Sequence, residues 1–157
     1  MKKLIAFVLT VVCMLSLVAC NHAEQGQAAT YSFRGEHDYF EITNGSILLS
    51  DTEEVFDGGN LQITQSGMFE EVTSCSTTFY TCIDGAQRTL LSNRVTIKRG
   101  GFISIDGDLG SVSGKGIMIG SNVADIEELR KNLWFELKTT DLNGEENVYQ
   151  IQLTLID

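Results

Sequence analysis

From Tyr31 onward, apolar and polar residues alternate in short runs that are separated by glycine-containing turn sequences. Alternation with period two is typical of β-strands that bury one face, and Asn-Gly or Asp-Gly accommodates the positive φ angles of tight hairpin turns. Each turn sequence therefore predicts a hairpin, and successive hairpins predict an antiparallel sheet. The four turn sequences are Asn44-Gly45, Asp57-Gly58-Gly59, Asp84-Gly85 and Gly100-Gly101.

Two hairpins have a predicted register. A two-residue turn at Asp84-Gly85 would set Phe79 opposite Leu90. Near the C-terminus, alternating strands flank Asp141–Glu145, and a loop of odd length is required if both apolar faces are to share one side of the sheet. The pairs predicted there are Leu137 with Tyr149, Phe135 with Ile151, and Leu133 with Leu153.

One segment, Asn122–Asn132, has the features of a short helix. Asn122 can cap its N-terminus, and Ile126 and Leu129 share one helical face. Many short strands, one short helix and no βαβ alternation predict an all-β fold, an antiparallel β-sandwich of immunoglobulin-like type rather than an open α+β sheet. Residues 30–157 are expected to form this single domain.

The first nineteen residues have the pattern of a secretory signal peptide. Lys2 and Lys3 precede the apolar run Leu4–Val18, which at about fifteen residues is shorter than the roughly 20 needed to span a bilayer. The run leads into Leu17-Val18-Ala19-Cys20, which resembles the lipobox of bacterial lipoproteins. The resemblance implies that the Cys20 sulfur is diacylated and that Cys20 becomes the mature N-terminus. Cleavage after Ala19 by ordinary signal peptidase is the alternative.

The mature chain is expected to begin with a tether and to be strongly acidic. Residues 20–29 contain no aliphatic side chain larger than alanine, which predicts a flexible segment of about 35 Å at full extension. Loss of residues 1–19 removes two lysines and no acidic residue, so the formal charge changes from −10 to −12. Nucleic acid and anionic lipid surfaces would repel such a domain, which argues against both as electrostatic partners.

The two cysteines of the domain lie seven residues apart in Val72–Ile83, a segment with no turn residue. On one strand an odd separation would place Cys75 and Cys82 on opposite faces, about 23 Å apart and beyond disulfide reach. They are free thiols unless the chain folds back at residues 76–78.

Residues that could carry catalysis or hold a metal are few. A nucleophile would need His37 as its base, because it is the only histidine beyond the tether, and its acidic neighbours favour a solvated turn. Adjacent glutamates such as Glu70-Glu71 would point to opposite faces of a strand and would not converge. Asp106–Ser111 lacks ligands of a calcium loop, and Gly110–Gly116 lacks the spacing of a phosphate loop. We expect no catalytic residue, metal or cofactor.

Two surface features are candidates for binding a partner. A basic stripe with a local charge of +4 lies between Asp84 and Asp106, with no acidic residue inside it. Trp134 alternates with Glu136 and Lys138, on the face opposite the apolar residues of its strand, where it could stack on a sugar or a protein. Solvated strand charges and a covered tryptophan are the alternatives. The basic residues are Arg88, Arg94, Lys98 and Arg99.

The chain resembles the small single-domain lipoproteins of Gram-positive bacteria. The resemblance rests on the lipobox, the Tyr31–Glu36 start, Asn44-Gly45 and the closing segment Asn143–Tyr149. It implies an extracytoplasmic domain anchored to the cell membrane through the lipid on Cys20, and no known activity. A non-catalytic binding or accessory module for another envelope protein is the first hypothesis. A cell-wall or glycan-binding module that uses Trp134 and the basic stripe is the second, and a small hydrolase is the third.

Overall fold

The computed structural model describes residues 28–50, 52–65, 67–97, 101–117 and 126–156. The predicted signal peptide, Cys20, the predicted tether up to residue 27, and Lys98 and Arg99 lie outside the described residues. Eleven strands and one helix are assigned in the described ranges. They are β1 (Ala29–Glu36), β2 (Phe40–Leu49), β3 (Glu54–Asp57), β4 (Asn60–Ile63), β5 (Val72–Ile83), β6 (Ala86–Thr96), β7 (Gly107–Asp108), β8 (Ser111–Gly114), α1 (Ile126–Asn132), β9 (Leu133–Asp141), β10 (Glu146–Gln152) and β11 (Thr154–Ile156).

The strands pair into two antiparallel sheets that pack against each other. The first has the order β11-β1-β2-β3-β8, with β4 paired to β2 and β7 paired to β4. The second has the order β10-β9-β5-β6, which is that of the G, F, C and C′ strands of an immunoglobulin variable domain. The predicted all-β antiparallel sandwich with one short helix is confirmed. The first sheet departs from the immunoglobulin pattern, because β3 and β4 both pair with β2 and the last strand, β11, pairs with β1.

The hairpins predicted at Asn44-Gly45 and at Asp57-Gly58-Gly59 are both wrong. Asn44 has the expected positive φ of 59°, but it lies inside β2, where the pairing with β1 shifts by one residue. Strands β3 and β4 both pair with β2, β3 along Ser46–Leu49 and β4 along Phe40–Thr43. Gly59, at a φ of 69°, sits against the backbone of the β2 bulge, where a Cβ atom would overlap the Thr43 oxygen. The β2 bulge and the gap between β3 and β4 therefore meet here, where two turns were predicted.

The Asp84-Gly85 hairpin is confirmed, but its predicted register is wrong by one residue. Ile83 pairs with Ala86 across the two-residue turn, and both turn residues have positive φ angles, 52° and 75°. The register then shifts, so that Phe79 lies opposite Leu91 instead of Leu90. Leu90 is the extra residue of a β-bulge, and its side chain is 7% exposed. Burial of that leucine accounts for the shift.

The C-terminal hairpin has the predicted register. Tyr149 pairs with Leu137, Ile151 pairs with Phe135, and the Leu153 N–H donates to the Leu133 oxygen at 2.9 Å. After Leu153 the chain crosses to the other sheet, where β11 pairs with β1. The last strands therefore tie the two sheets together.

The hairpin expected at Gly100-Gly101 does not form in the part of the chain that is described. Residues 102–105 are assigned to no strand, although Ile103 and Ile105 are buried and alternate with exposed neighbours. The Ile103 N–H donates instead to the Val72 oxygen at 2.9 Å. This segment lies across one end of the sandwich.

The core is built around a column of phenylalanine rings. Phe79 of the second sheet contacts Phe33 and Phe56 of the first, with ring centroids 5.9 Å and 5.1 Å away. Within its own sheet it contacts Phe135 at 4.9 Å. All four rings are at most 1% exposed. Phe40, also fully buried, continues the column with its centroid 6.0 Å from that of Phe135.

Helix α1 covers the C-terminal part of the predicted helix, while residues 122–125 lie outside the described residues. Leu129 is fully buried, and acidic residues in the first turn and basic ones in the last suit the helix dipole. The Arg130 Nη1 donates to the Leu155 oxygen at 3.2 Å, which joins the helix to the edge strand β11. In the described ranges we find no helix that is long and apolar enough to cross a bilayer.

Candidate binding surfaces

The outer face of the four-stranded sheet is the side that faces away from the first sheet. Trp134 lies on it, half-buried, between Tyr80 of β5 and Gln152 of β10. In the next row, the Gln150 Nε2 donates to the Glu136 Oε2 at 2.7 Å, and the Lys138 ammonium lies 3.4 Å from the other Glu136 oxygen. A hydrogen bond and an ion pair thus join the polar side chains in the row next to Trp134.

Tyr80 gives this surface a second aromatic residue. It is directly opposite Trp134 and only 7% exposed. Burial raises the pKa of Tyr80, and the nearby Glu136 carboxylate and Cys82 thiol raise it further, which agrees with all three lying on one face. Tyr80 therefore supports the half-buried Trp134, which is the ring of this pair that a sugar could contact.

The residues of the basic stripe do not share one surface. Arg94 lies on the outer face, in the row that contains Ser76 and Lys138. Ideal strand spacings put it about 16 Å from Trp134. Arg88 pairs with the buried Thr81 and lies on the other side of the sheet, where its Nη2 donates to the Gly116 oxygen at 3.0 Å. The remaining two basic residues fall outside the described ranges.

A groove at one end of the sandwich was not predicted from the sequence. Its volume is about 520 Å³, and residues 63–64, 67–70 and 102–106 lie around it. Buried Phe69 and Ile105 contribute to its apolar lining, and the Phe102 ring is 54% exposed at the groove. Carboxylates of Glu70 and Asp106 complete the lining. We call this the end groove.

A smaller, polar cavity of about 290 Å³ adjoins the end groove and shares Gly67 and Glu70 with it. Glu71, Asp141 and the phenol of Tyr149 line the cavity. Glu70-Glu71 belong to the turn before β5 and not to a strand. The prediction that adjacent strand residues point to opposite faces therefore does not apply to this doublet. Within the described residues, no group of three or more His, Cys, Asp or Glu side chains is placed to hold a metal ion.

His37 lies in the predicted turn, where its N–H donates to the Phe40 oxygen at 2.8 Å, but it is half-buried in an aromatic cluster and not solvated. Its ring is stacked on Phe40 with centroids 4.9 Å apart, and it contacts Tyr39 and Tyr149 at 5.1 Å and 5.5 Å. The Tyr39 N–H donates to the His37 Nδ1 at 3.3 Å. Packing and that hydrogen bond explain the position of the imidazole.

The two domain cysteines are free and lie on one uninterrupted strand, β5. Cys75 is buried in the core, and burial raises the pKa of its thiol. Cys82 is exposed. The chain does not fold back at residues 76–78, so the separation predicted for a single strand applies.

Comparison with protein-family models, with curated proteins and with solved structures found no match.

Proposed function

We propose that the chain is a lipid-anchored, non-catalytic module that binds another protein of the cell envelope close to the membrane. The signal sequence and the cysteine that follows it support the location. The end groove carries the binding part of the proposal, because it combines an apolar lining with carboxylates in a concavity of about 520 Å³. Such a combination is typical of a site that receives a partner side chain.

The carboxylates around the end groove favour a basic, apolar segment of the partner as its occupant. Glu70 and Asp106 line the groove itself, and Glu71 and Asp141 line the adjoining cavity. Among the described residues that line either space, none is a lysine or an arginine. A segment that places a Lys or Arg beside an aromatic or aliphatic residue would match both the carboxylates and the apolar lining.

The test is photo-cross-linking in intact cells from Ser104, which lines the groove. We expect one dominant adduct, in which the cross-linked partner peptide contains a basic residue next to an apolar one. Phe102→Ser should reduce that adduct about tenfold or more, as expected for loss of an aromatic anchor. Leu142→Ser is the matched control, because Leu142 is 55% exposed and Phe102 is 54% exposed. Indiscriminate adducts, or equal loss in both variants, would count against the proposal.

Binding of cell-wall glycan is the second candidate function, favoured by Trp134, which lies half-buried on the outer face beside the buried Tyr80. Trp134 is the only tryptophan of the chain, so its fluorescence reports on this site alone. Titration of the purified domain with wall polysaccharide should shift or quench the emission, and Trp134→Ala should abolish sedimentation of the domain with walls. Unchanged fluorescence together with no sedimentation of the unaltered domain would eliminate this candidate.

A further inference from the structure

Strand β6 is the outermost strand of the four-stranded sheet and is long for an edge strand. It pairs with β5 at ten positions, and in the described part of the chain no strand pairs with its other side. Nine of its eleven residues are exposed, which shows that the edge is open to solvent. An edge of this kind presents unpaired backbone groups to any incoming strand.

The pairing pattern shows which backbone groups point outward. Across the two-residue turn, Ile83 and Ala86 form a hydrogen-bonded pair, and such pairs alternate with non-bonded pairs along an antiparallel ladder. The pairing skips Leu90, and the alternation of bonded and non-bonded pairs continues beyond it. The Ile97 N–H donates to the Thr73 oxygen at 2.9 Å, as this alternation requires. Outward-pointing N–H and C=O groups therefore belong to Gln87, Thr89, Ser92, Arg94 and Thr96.

The other edges of the sandwich are less suited to accept a strand. Strands β7, β8 and β11 contain two, four and three residues, and the Leu155 oxygen of β11 already accepts a hydrogen bond from Arg130. Strand β10 begins with Glu146, directly after Glu145. Strand β6 has the opposite charge, with exposed Arg88 and Arg94 and no acidic residue.

We infer that β6 accepts an extended acidic segment of the partner protein as an additional strand, an inference that rests on the proposed function. Backbone hydrogen bonds to the outward groups would supply affinity, and a Glu or Asp of the added strand opposite Arg94 would supply selectivity. Positive charge on an edge strand does not prevent it from pairing with every other strand. It disfavours pairing with a second copy of β6, because the arginines of the two copies would repel each other, and it favours an acidic strand.

The test uses photo-cross-linking in intact cells from Gln87, which is exposed on β6, alongside the Ser104 experiment. We expect an adduct whose partner peptide is extended and acidic. Ser92→Pro should reduce it about tenfold or more, because proline removes an outward N–H without breaking the ladder to β5. Ser92→Ala is the matched control. It loses the same 3.1 Å hydroxyl contact with Thr78 but retains the N–H.

Charge reversal gives a second variant that does not alter the backbone. Arg94→Glu should reduce the Gln87 adduct to a similar extent, whereas Lys115→Glu, at an exposed position beyond β8, should not. A Gln87 adduct that survives both Ser92→Pro and Arg94→Glu, or that proves to be a second copy of this chain, overturns the strand-addition inference. A Ser104 adduct without a Gln87 adduct would also overturn the strand-addition inference, but it would agree with the proposed function. The absence of any adduct from either position overturns both.

Discussion

Replacement of Phe79 by alanine is expected to lower the free energy of unfolding by about 3–5 kcal/mol. The ring is 1% exposed and contacts three other phenylalanine rings, two of which belong to the opposite sheet. Its removal would leave a cavity between the two sheets, where neither sheet can collapse without disturbing its own ladders. A loss of this size is a large part of the 5–15 kcal/mol typical of a domain.

The measurement is urea denaturation of the protein lacking residues 1–19, followed by the fluorescence of Trp134. Phe102→Ala is the control, because the same ring is removed from an exposed position and the expected change is within about 0.5 kcal/mol. A decrease of less than about 1 kcal/mol for Phe79→Ala would mean that this ring does not hold the two sheets together.

Replacement of Cys20 by serine is expected to abolish incorporation of labelled palmitate and to release the protein from the membrane fraction. The physical reason is that each buried methylene contributes about 0.8 kcal/mol, so that two acyl chains anchor a protein stably whereas none leaves only weak contacts. Without residues 1–19 the chain would have a formal charge of −12, and anionic lipid would not hold it once the acyl chains are absent.

Cys13→Ser provides the matched control, since this cysteine lies within the segment expected to be removed. It should leave palmitate labelling and membrane retention unchanged. Mass spectrometry separates retention through the lipid from retention through an uncleaved signal sequence, which would add nineteen residues. Palmitate incorporation into the Cys20→Ser protein would contradict the lipoprotein assignment.

Two turn sequences of similar chemistry have different outcomes in this fold. Asn44 and Asp84 both adopt positive φ angles, 59° and 52°, as their sequences predict. Asp84 turns the chain between β5 and β6, whereas Asn44 forms a bulge inside β2. The difference is tertiary, because β3 and β4 both pair with β2 and meet its bulge at Gly59.

The C-terminal register was predictable because it depends on local features alone. Strong alternation on both strands and a loop of odd length permit one pairing that buries both apolar faces. In the β5–β6 hairpin the same reasoning missed the bulge at Leu90. That bulge depends on what the leucine side chain packs against, which neighbouring residues do not reveal.

The end groove could not have been found by scanning the chain. Its walls come from residues 63–64, 67–70 and 102–106, and the adjoining cavity adds residues of β9 and β10. The walls meet because the Ile63 N–H donates to the Asp106 Oδ1 and the Ile103 N–H donates to the Val72 oxygen. The residues of β9 reach the cavity because β9 pairs with β5, about sixty residues away in the chain. A turn after Gly67 was the available signal that Glu70 and Glu71 do not lie on a strand.

The sequence by itself was enough to predict the all-β class and the register of the last hairpin. It is also the basis for expecting that Cys20 is acylated. These follow from periodicity, charge and composition, which act over a few neighbouring residues. The tertiary structure alone decided which glycine-containing dipeptides turn the chain, that Arg88 and Arg94 lie on opposite sides of one sheet, and that carboxylates gather beside Phe102. The physical reason is that local sterics limit φ and ψ at each residue, whereas the convergence of side chains depends on pairings between distant strands.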